Sequence, residues 1–188
     1  MIVTAIFTGL RASELRGLRW HNLDLKAGVV TVAERVDQWG TFGPPKSEAG
    51  YRDVPLAPYA LSALKEHRLA VAGGDDALVF GSRTGTPLTH QNMVKRVWNP
   101  LQKSAGLTAD TGKLDQEGKP ILRAKYGFHA LRHAAASLFI EQRLSPKRIS
   151  ALMGHSSIQV TYDRYGHLLH DGEADQAALA AIEARLLG

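Results

Sequence analysis

Apolar residues fall into two rhythms along this chain, one helical and one alternating. The opening MIVTAIFTGL is almost continuously apolar and runs straight into amphipathic sequence. It predicts a buried helix, cut short at its start, that ends near Thr8-Gly9. A second helix is expected from Ala12-Ser13 to about Arg19, with Ser13 as N-cap and Leu15 and Leu18 on its buried face. The rhythm then changes. GVVTVAERV, Gly28 to Val36, is β-branched and partly alternating, which predicts a strand. Trp39–Phe42 and Arg52–Leu56 are expected as two more short strands, with the turn-forming PPKSEAGY between them.

Helical spacing returns at Pro58, which opens a helix to about Ala72 with Leu61, Leu64 and Leu69 on its apolar side, ended by GGDD. Leu78-Val79-Phe80 reads as a short buried segment before the turn GSRTGTP. Thr89 or His90 begins a helix to about Ala105. Residues 107–123 lack periodicity and predict an exposed loop carrying a hairpin. The strongest helical pattern spans Phe128 to Gln142, through Leu131, Ala135, Leu138 and Phe139. Ser145-Pro146 opens another helix, closed by Gly154, and Ser157 to about Tyr165 forms a further one. Glu173–Leu187 is alanine-rich, with Leu179, Ile182, Leu186 and Leu187 as an apolar stripe. The expected class is α+β: mostly helical, with a small three-stranded antiparallel sheet. No repeat or linker divides the 188 residues, so residues 1–188 are expected to form one domain with a tail helix over 171–188.

Charge adds a direction. The chain carries a net charge of +5, and a basic surface attracts polyanions by releasing their counterions. The excess is local: Lys119, Arg123, Lys125, Arg132, Arg143, Lys147 and Arg148 face only Glu141 in that stretch. From Asp171 onward Asp171, Glu173, Asp175 and Glu183 stand against Arg185. A basic middle and an acidic end suggest a nucleic-acid face, with Arg123, Lys125, Lys147 and Arg148 as binding residues, and a tail that lies elsewhere. The chain has no cysteine, which removes disulfides, cysteine-based zinc sites and thiol nucleophiles. No apolar run reaches the roughly 18 residues of a membrane helix.

Several residues carry candidate chemistry. Arg11 and Arg132 each present a planar fork that matches two phosphate oxygens and can stabilise a pentavalent transition state. Glu14, three residues after Arg11, can orient it. Taken alone, Arg11 reads more readily as a surface arginine in a helix-start salt bridge. His129 and Arg132 stand at i, i+3 on one helix and share a face. His129 and His133 at i, i+4 could hold zinc, but Ala130 stands where zincins carry a glutamate and Arg132 would repel a cation. His133 is therefore expected to be structural. His155 can donate to a phosphate oxygen or shuttle a proton, although a Gly-His pair is commonly just a helix end. A tyrosine such as Tyr165 attacks when cations favour its phenolate or a base removes its proton. Lys46, between two predicted strands, would sit on a hairpin tip, able to enter a groove and protonate a leaving oxygen.

TGLRASEL (Thr8–Leu15), HALRH (His129–His133) and LMGHSSIQVTYDRYGH (Leu152–His167) together resemble the tyrosine recombinase (phage integrase) family. PPKSEAGYRDVPL resembles the family's lysine hairpin, which ends R-x-V-P-L. The likeness runs from Thr8 to His167, and its weight lies in the joint order of the boxes. It implies the DNA breaking-rejoining catalytic fold and a 3′-phosphotyrosyl intermediate. Arg11, Lys46, His129, Arg132, His155 and Tyr165 would be catalytic, Glu14 supporting, and no metal or other cofactor is expected. Tyr165 is preferred to Tyr162 because family nucleophiles lie nine or ten residues after this histidine. Arg52 is counted with the DNA-binding residues as a structural or phosphate-positioning contact. The implied partner is double-stranded DNA, bound as a homo-oligomer (a tetramer in the synaptic complex) or by a chain that is monomeric in isolation. The implied place is the cytoplasm, on the nucleoid when DNA-bound, with no membrane contact. Family members carry a further helical domain before the first arginine box, and residues 1–188 are expected to be the catalytic part alone. Two other readings stay open: a non-catalytic helix-turn-helix-like DNA-binding module over Pro146–Tyr165, and type IB topoisomerase-like strand relaxation.

Overall fold

The computed structural model describes residues 1–169 and 172–187, without the side chains of Glu173, Ala174, Asp175 and Ala178. Of the expected acidic opening of the tail, Asp171 therefore lies outside the described residues, as do the side chains of Glu173 and Asp175. Helix α1, Ile2–Thr8, ends at Gly9, whose left-handed φ of 65° lets its N–H close on the Ala5 carbonyl. Helix α2 is Ala12–Gly17, shorter than its apolar pattern predicts. Its N-cap is Arg11 and not Ser13: the Glu14 carboxylate reaches back to accept the Arg11 N–H at 2.8 Å. The helix stops because Leu18 is extended. Gly17 lies so close to the Arg35 backbone that a Cβ would come within 3.0 Å of it.

The strand expected over Gly28–Val36 breaks in two. β1 (Leu23–Asp24), β2 (Val29–Val32) and β5 (Arg52–Pro55) form an antiparallel sheet in the order β1-β2-β5, with Val30 opposite both Leu23 and Val54. β3 (Arg35–Val36) turns away to pair with β4 (Phe42–Gly43). The three-stranded sheet exists, but its first strand is Leu23–Asp24, too short to show a period, and Trp39 sits in the β3–β4 turn. Arg19 fixes that hairpin by bonding Glu34 at 2.9 Å and stacking over Phe42 at 4.3 Å.

Pro58 occupies the first turn of α3, Pro58–Ala70. Leu64 is buried, but Leu69 is 90% exposed. Five residues beyond Leu64 it points roughly 140° away, off the buried stripe. His90–Met93 (α4) and Asn99–Ser104 (α5) are joined by a π turn, Val94–Trp98. Pro100 has no N–H for the Arg96 carbonyl, and the widened turn sits where that bond is missing. Residues 107–123, expected as a loop with a hairpin, contain β6 (Thr108–Leu114) and most of β7 (Pro120–Ala124), paired antiparallel.

Helices α6 (Ala130–Glu141), α7 (Pro146–Met153), α8 (Ile158–Tyr165) and α9 (Gly172–Leu187) follow the expected order. Ser145 caps α7 by accepting the Arg148 N–H, and Gly154 ends it at φ 63°. On α6, Leu131 and Ala135 are buried but Leu138 is exposed. The main core joins Leu10, Leu15 and Leu18 to Val30 and Val54 of the sheet, Leu64 of α3, and Phe128 and Leu131 of the α6 start. A satellite core holds Ala136, Ile149, Met153 and Tyr165. On α9, Leu179, Ile182, Leu186 and Leu187 are all exposed. Among the described residues no helix is long and apolar enough to cross a membrane.

Candidate active site

The C-terminal end of α7 is the point on which the distant boxes converge. Arg11 donates from Nη2 to the Gly154 carbonyl at 2.7 Å and from Nη1 to Glu14 at 2.8 Å. Arg132, almost fully buried, donates from Nη1 to the Gly9 carbonyl at 2.6 Å and from Nη2 to the Met153 carbonyl. His155 is the next residue after Gly154, and its ring lies parallel to that of Tyr165, with centroids 6.5 Å apart. The αL turn at Gly154 makes this convergence possible. A Cβ there would fall 2.7 Å from Arg52 Nη1 and 3.0 Å from the Ala49 carbonyl.

Behind Arg11 lies an ion-pair knot. Glu14 is paired with Arg11 at 2.8 Å and with Arg52 at 2.9 Å. Burial alone would raise the Glu14 carboxyl. The hydrogen bond and charge of Arg52, then the amide and charge of Arg11, outweigh it and hold the group below the usual carboxylate range. Arg52, expected as a structural or phosphate-positioning contact, has a buried side chain. Its donors go to Glu14, Gly50 and Leu152.

Burial, then repulsion from Arg11, pulls the Arg132 guanidinium down to about 9, still protonated at neutral pH. Burial and then the charges of Arg132, Arg11, Arg164 and Arg52 pull His155 down to about 4, so its ring is neutral. Its Nδ1 lies 2.9 Å from Thr161 Oγ1, while its buried Nε2 has no hydrogen-bond partner within the described protein. With the Thr161 hydroxyl donating, Nε2–H is a donor free for an anion's oxygen. His129 is also held at about 4, by desolvation and then by His133, Arg132, Arg164 and Arg11. Burial raises the Tyr165 phenol above its usual 10, partly offset by Arg132 and Arg164.

His129, at the N-cap of α6, and Lys46 line an open cleft of about 650 Å³ together with Arg11, Ser13, Arg16, Arg35, Trp39 and His90. Lys46 is exposed between β4 and β5. It is not on a hairpin tip, because β4 pairs with β3 and β5 with β2. The tip is Trp39, 83% exposed, where Asp37 accepts the Trp39 and Thr41 amides. Arg123 and Lys125 lie exposed at the hairpin that precedes α6. Lys147 and Arg148 lie exposed in the first turn of α7, at the other end from Gly154. Among the described residues no group of three or more His, Asp or Glu is placed to hold a metal. His133, expected to be structural, places its Nδ1 2.9 Å from the Tyr165 hydroxyl. The sequence signal for this was its i+4 spacing from His129, which puts both rings on one face, edge to face at 4.9 Å.

The mixed helical and sheet fold, with two guanidiniums, an imidazole and a phenol gathered at one helix end, defines the class. Residues 1–171 match the phage integrase family model, and the chain belongs to that family. Over 189 aligned positions it is 32% identical to the prophage integrase IntR of Escherichia coli K12, covering 97% of this chain and 45% of that protein. It is 32% identical over 161 positions to the tyrosine recombinase XerC of Xylella fastidiosa M23, covering 86% of this chain and 45% of the relative. The chain thus spans about half the length of these relatives. The Tn1549 transposon integrase, solved in complex with circular intermediate DNA, superposes with a TM-score of 0.72 at 24% identity, covering 96% of this chain and 58% of that one. The XerH recombinase bound to its difH substrate gives 0.62 at 23% identity, covering 97% and 45%.

Proposed function

We propose that this chain is the catalytic domain of a tyrosine-type site-specific recombinase that cleaves and rejoins double-stranded DNA. One observation carries the reading: Arg11, Arg132, His155 and Tyr165, drawn from across the chain, meet around Met153-Gly154. In this reading the two guanidiniums and the free Nε2–H of His155 hold the scissile phosphate. Tyr165 Oη attacks phosphorus, the P–O5′ bond breaks, and Lys46 gives the leaving oxygen its proton. His129 contacts the phosphate or assists proton transfer at the tyrosine. The ester energy is kept in the 3′-phosphotyrosine, so a second 5′ hydroxyl reverses the step. Trp39, Lys46 and the cleft beside them receive the duplex, and Arg123, Lys125, Lys147 and Arg148 extend the basic surface.

The exposed stripe of α9 supports docking on a neighbouring protomer and hence a homo-oligomer, a tetramer at synapsis. The reading places the chain in the cytoplasm, on the nucleoid when DNA-bound. A helix-turn-helix reading of Pro146–Tyr165 leaves the ties of Arg11 and Arg132 to Gly154 and Met153 unexplained. The test is a nicked suicide duplex incubated with the protein in EDTA. A covalent adduct with wild type and none with Tyr165→Phe is expected. No adduct from DNA-bound wild type, or an adduct from Tyr165→Phe, overturns the proposal.

A further inference from the structure

We propose that His133 is the proton acceptor for Tyr165, taking the phenolic proton during strand cleavage and returning it during rejoining. The inference rests on Tyr165 being the nucleophile, as read above, and gives proton transfer at the tyrosine to His133, leaving His129 the phosphate contact.

The phenol needs such a group. Burial keeps Tyr165 protonated at neutral pH, and a neutral phenol attacks poorly unless a base in contact removes its proton as the new bond forms. His133 Nδ1 is in contact, 2.9 Å from Oη. A phenolic O–H donates into a ring nitrogen only if that nitrogen carries a lone pair, which here means neutral His133 with its hydrogen on Nε2. The charged surroundings favour that form. His133 is faced by His129 and Arg132 from α6, and by Arg164 and Tyr165 from α8. Desolvation and then the two guanidiniums hold the imidazole below its usual value.

The other bases do not compete on geometry. His155 meets the tyrosine ring face to face and uses its Nδ1 on Thr161. His129 packs against His133, and Lys46 lies across the cleft between β4 and β5. Neither makes a hydrogen bond to Oη among the described residues.

The step balances. Oη–P forms and P–O5′ breaks; the Oη proton moves to His133 Nδ1, and Lys46 Nζ supplies the proton that O5′ takes. The resulting imidazolium faces Arg132 and Arg164, which makes it a poor resting place for the proton. Rejoining runs the same transfers backward, with His133 protonating the departing tyrosine oxygen.

The experiment measures single-turnover cleavage of the nicked suicide duplex across pH by wild type, His133→Ala, His133→Asn and Tyr165→Phe. Asparagine can still accept the phenolic hydrogen bond but cannot take the proton. Both His133 variants are expected to cleave about 10²-fold more slowly while retaining DNA in a gel shift. The wild-type rate should fall on the acid side as His133 protonates, and both variants should lose that limb. Added imidazole should restore His133→Ala but not Tyr165→Phe. A His133→Ala rate and pH profile like wild type overturns the inference alone, as does full activity of His133→Asn. Absence of any wild-type adduct, or a persisting Tyr165→Phe adduct, overturns the nucleophile reading and this one with it. Should His133→Ala not fold, ¹⁵N-histidine spectra of wild type decide: a hydrogen-bearing Nδ1 on His133 at neutral pH sinks the proposal.

Discussion

Arg52 and Arg132 are both buried, yet they are held in opposite ways. Arg52 is closed against the Glu14 carboxylate, and its charge is spent inside the protein. Arg132 is held by two main-chain carbonyls, Gly9 at the end of α1 and Met153 at the end of α7, with no ion pair among the described residues. Carbonyl groups fix the guanidinium's direction without cancelling its charge. Arg11 stands between the two, with one fork tip on Glu14 and the other on Gly154. In the proposed reading, the charge that only builds the fold is neutralised, while the charge that meets the phosphate is propped by neutral groups.

The comparison breaks most visibly at Glu14. Glu14→Ala leaves Arg52 buried without its carboxylate, and a loss of about 3–5 kcal/mol in a denaturant titration is expected. Glu14 also gives an acid limb. Its folded pKa lies below its usual 4.5, so its stabilisation is complete above that value and lost as pH falls through the lower folded one. Glu14→Gln should show a shallower loss on acidification.

Arg132→Ala should cost less, about 1–3 kcal/mol, since it strands buried carbonyls and not a charge, yet it should abolish the DNA adduct. A larger stability loss than Glu14→Ala would contradict the comparison. The neutral His155 sharpens it by pH. With the folded ring at about 4 against an ordinary 6.5, the unfolded chain binds more protons between those values. Stability should therefore rise with pH across that window, by up to about 1.4 kcal/mol per unit from this group, and His155→Asn should flatten the slope. Gly154→Ala should cost about 1–2 kcal/mol for its left-handed backbone and shift Arg52, visible as a lower Tm. Least of all, Leu186→Ser on exposed α9 should stay within about 0.5 kcal/mol while lowering any concentration-dependent mass.

What could be read from residues alone follows from range. The order of helices was legible because Leu131 and Ala135, or Ser145-Pro146 and Gly154, signal within one or two turns. The family boxes were legible as local phrases. Leu23–Asp24 was not, since two residues carry no period. The break at Ala33-Glu34 depends on Arg19 reaching the β3–β4 hairpin. Arg52 pointed inward because Glu14, 38 residues earlier, waited there. The same limit hid His133: its bond to Tyr165 spans 32 residues and appears only when α6 and α8 pack.

The satellite core has a mechanical consequence. Beyond Gly154, the described residues attach α8 through Ala136, Ile149 and Met153, the Thr161–His155 bond and the Tyr165–His133 bond. Both guanidiniums are anchored to backbone that this segment does not include. With Tyr165 as the proposed nucleophile, peeling α8 away would disarm the blade and leave the grip closed, separating the holding of a strand from its cutting.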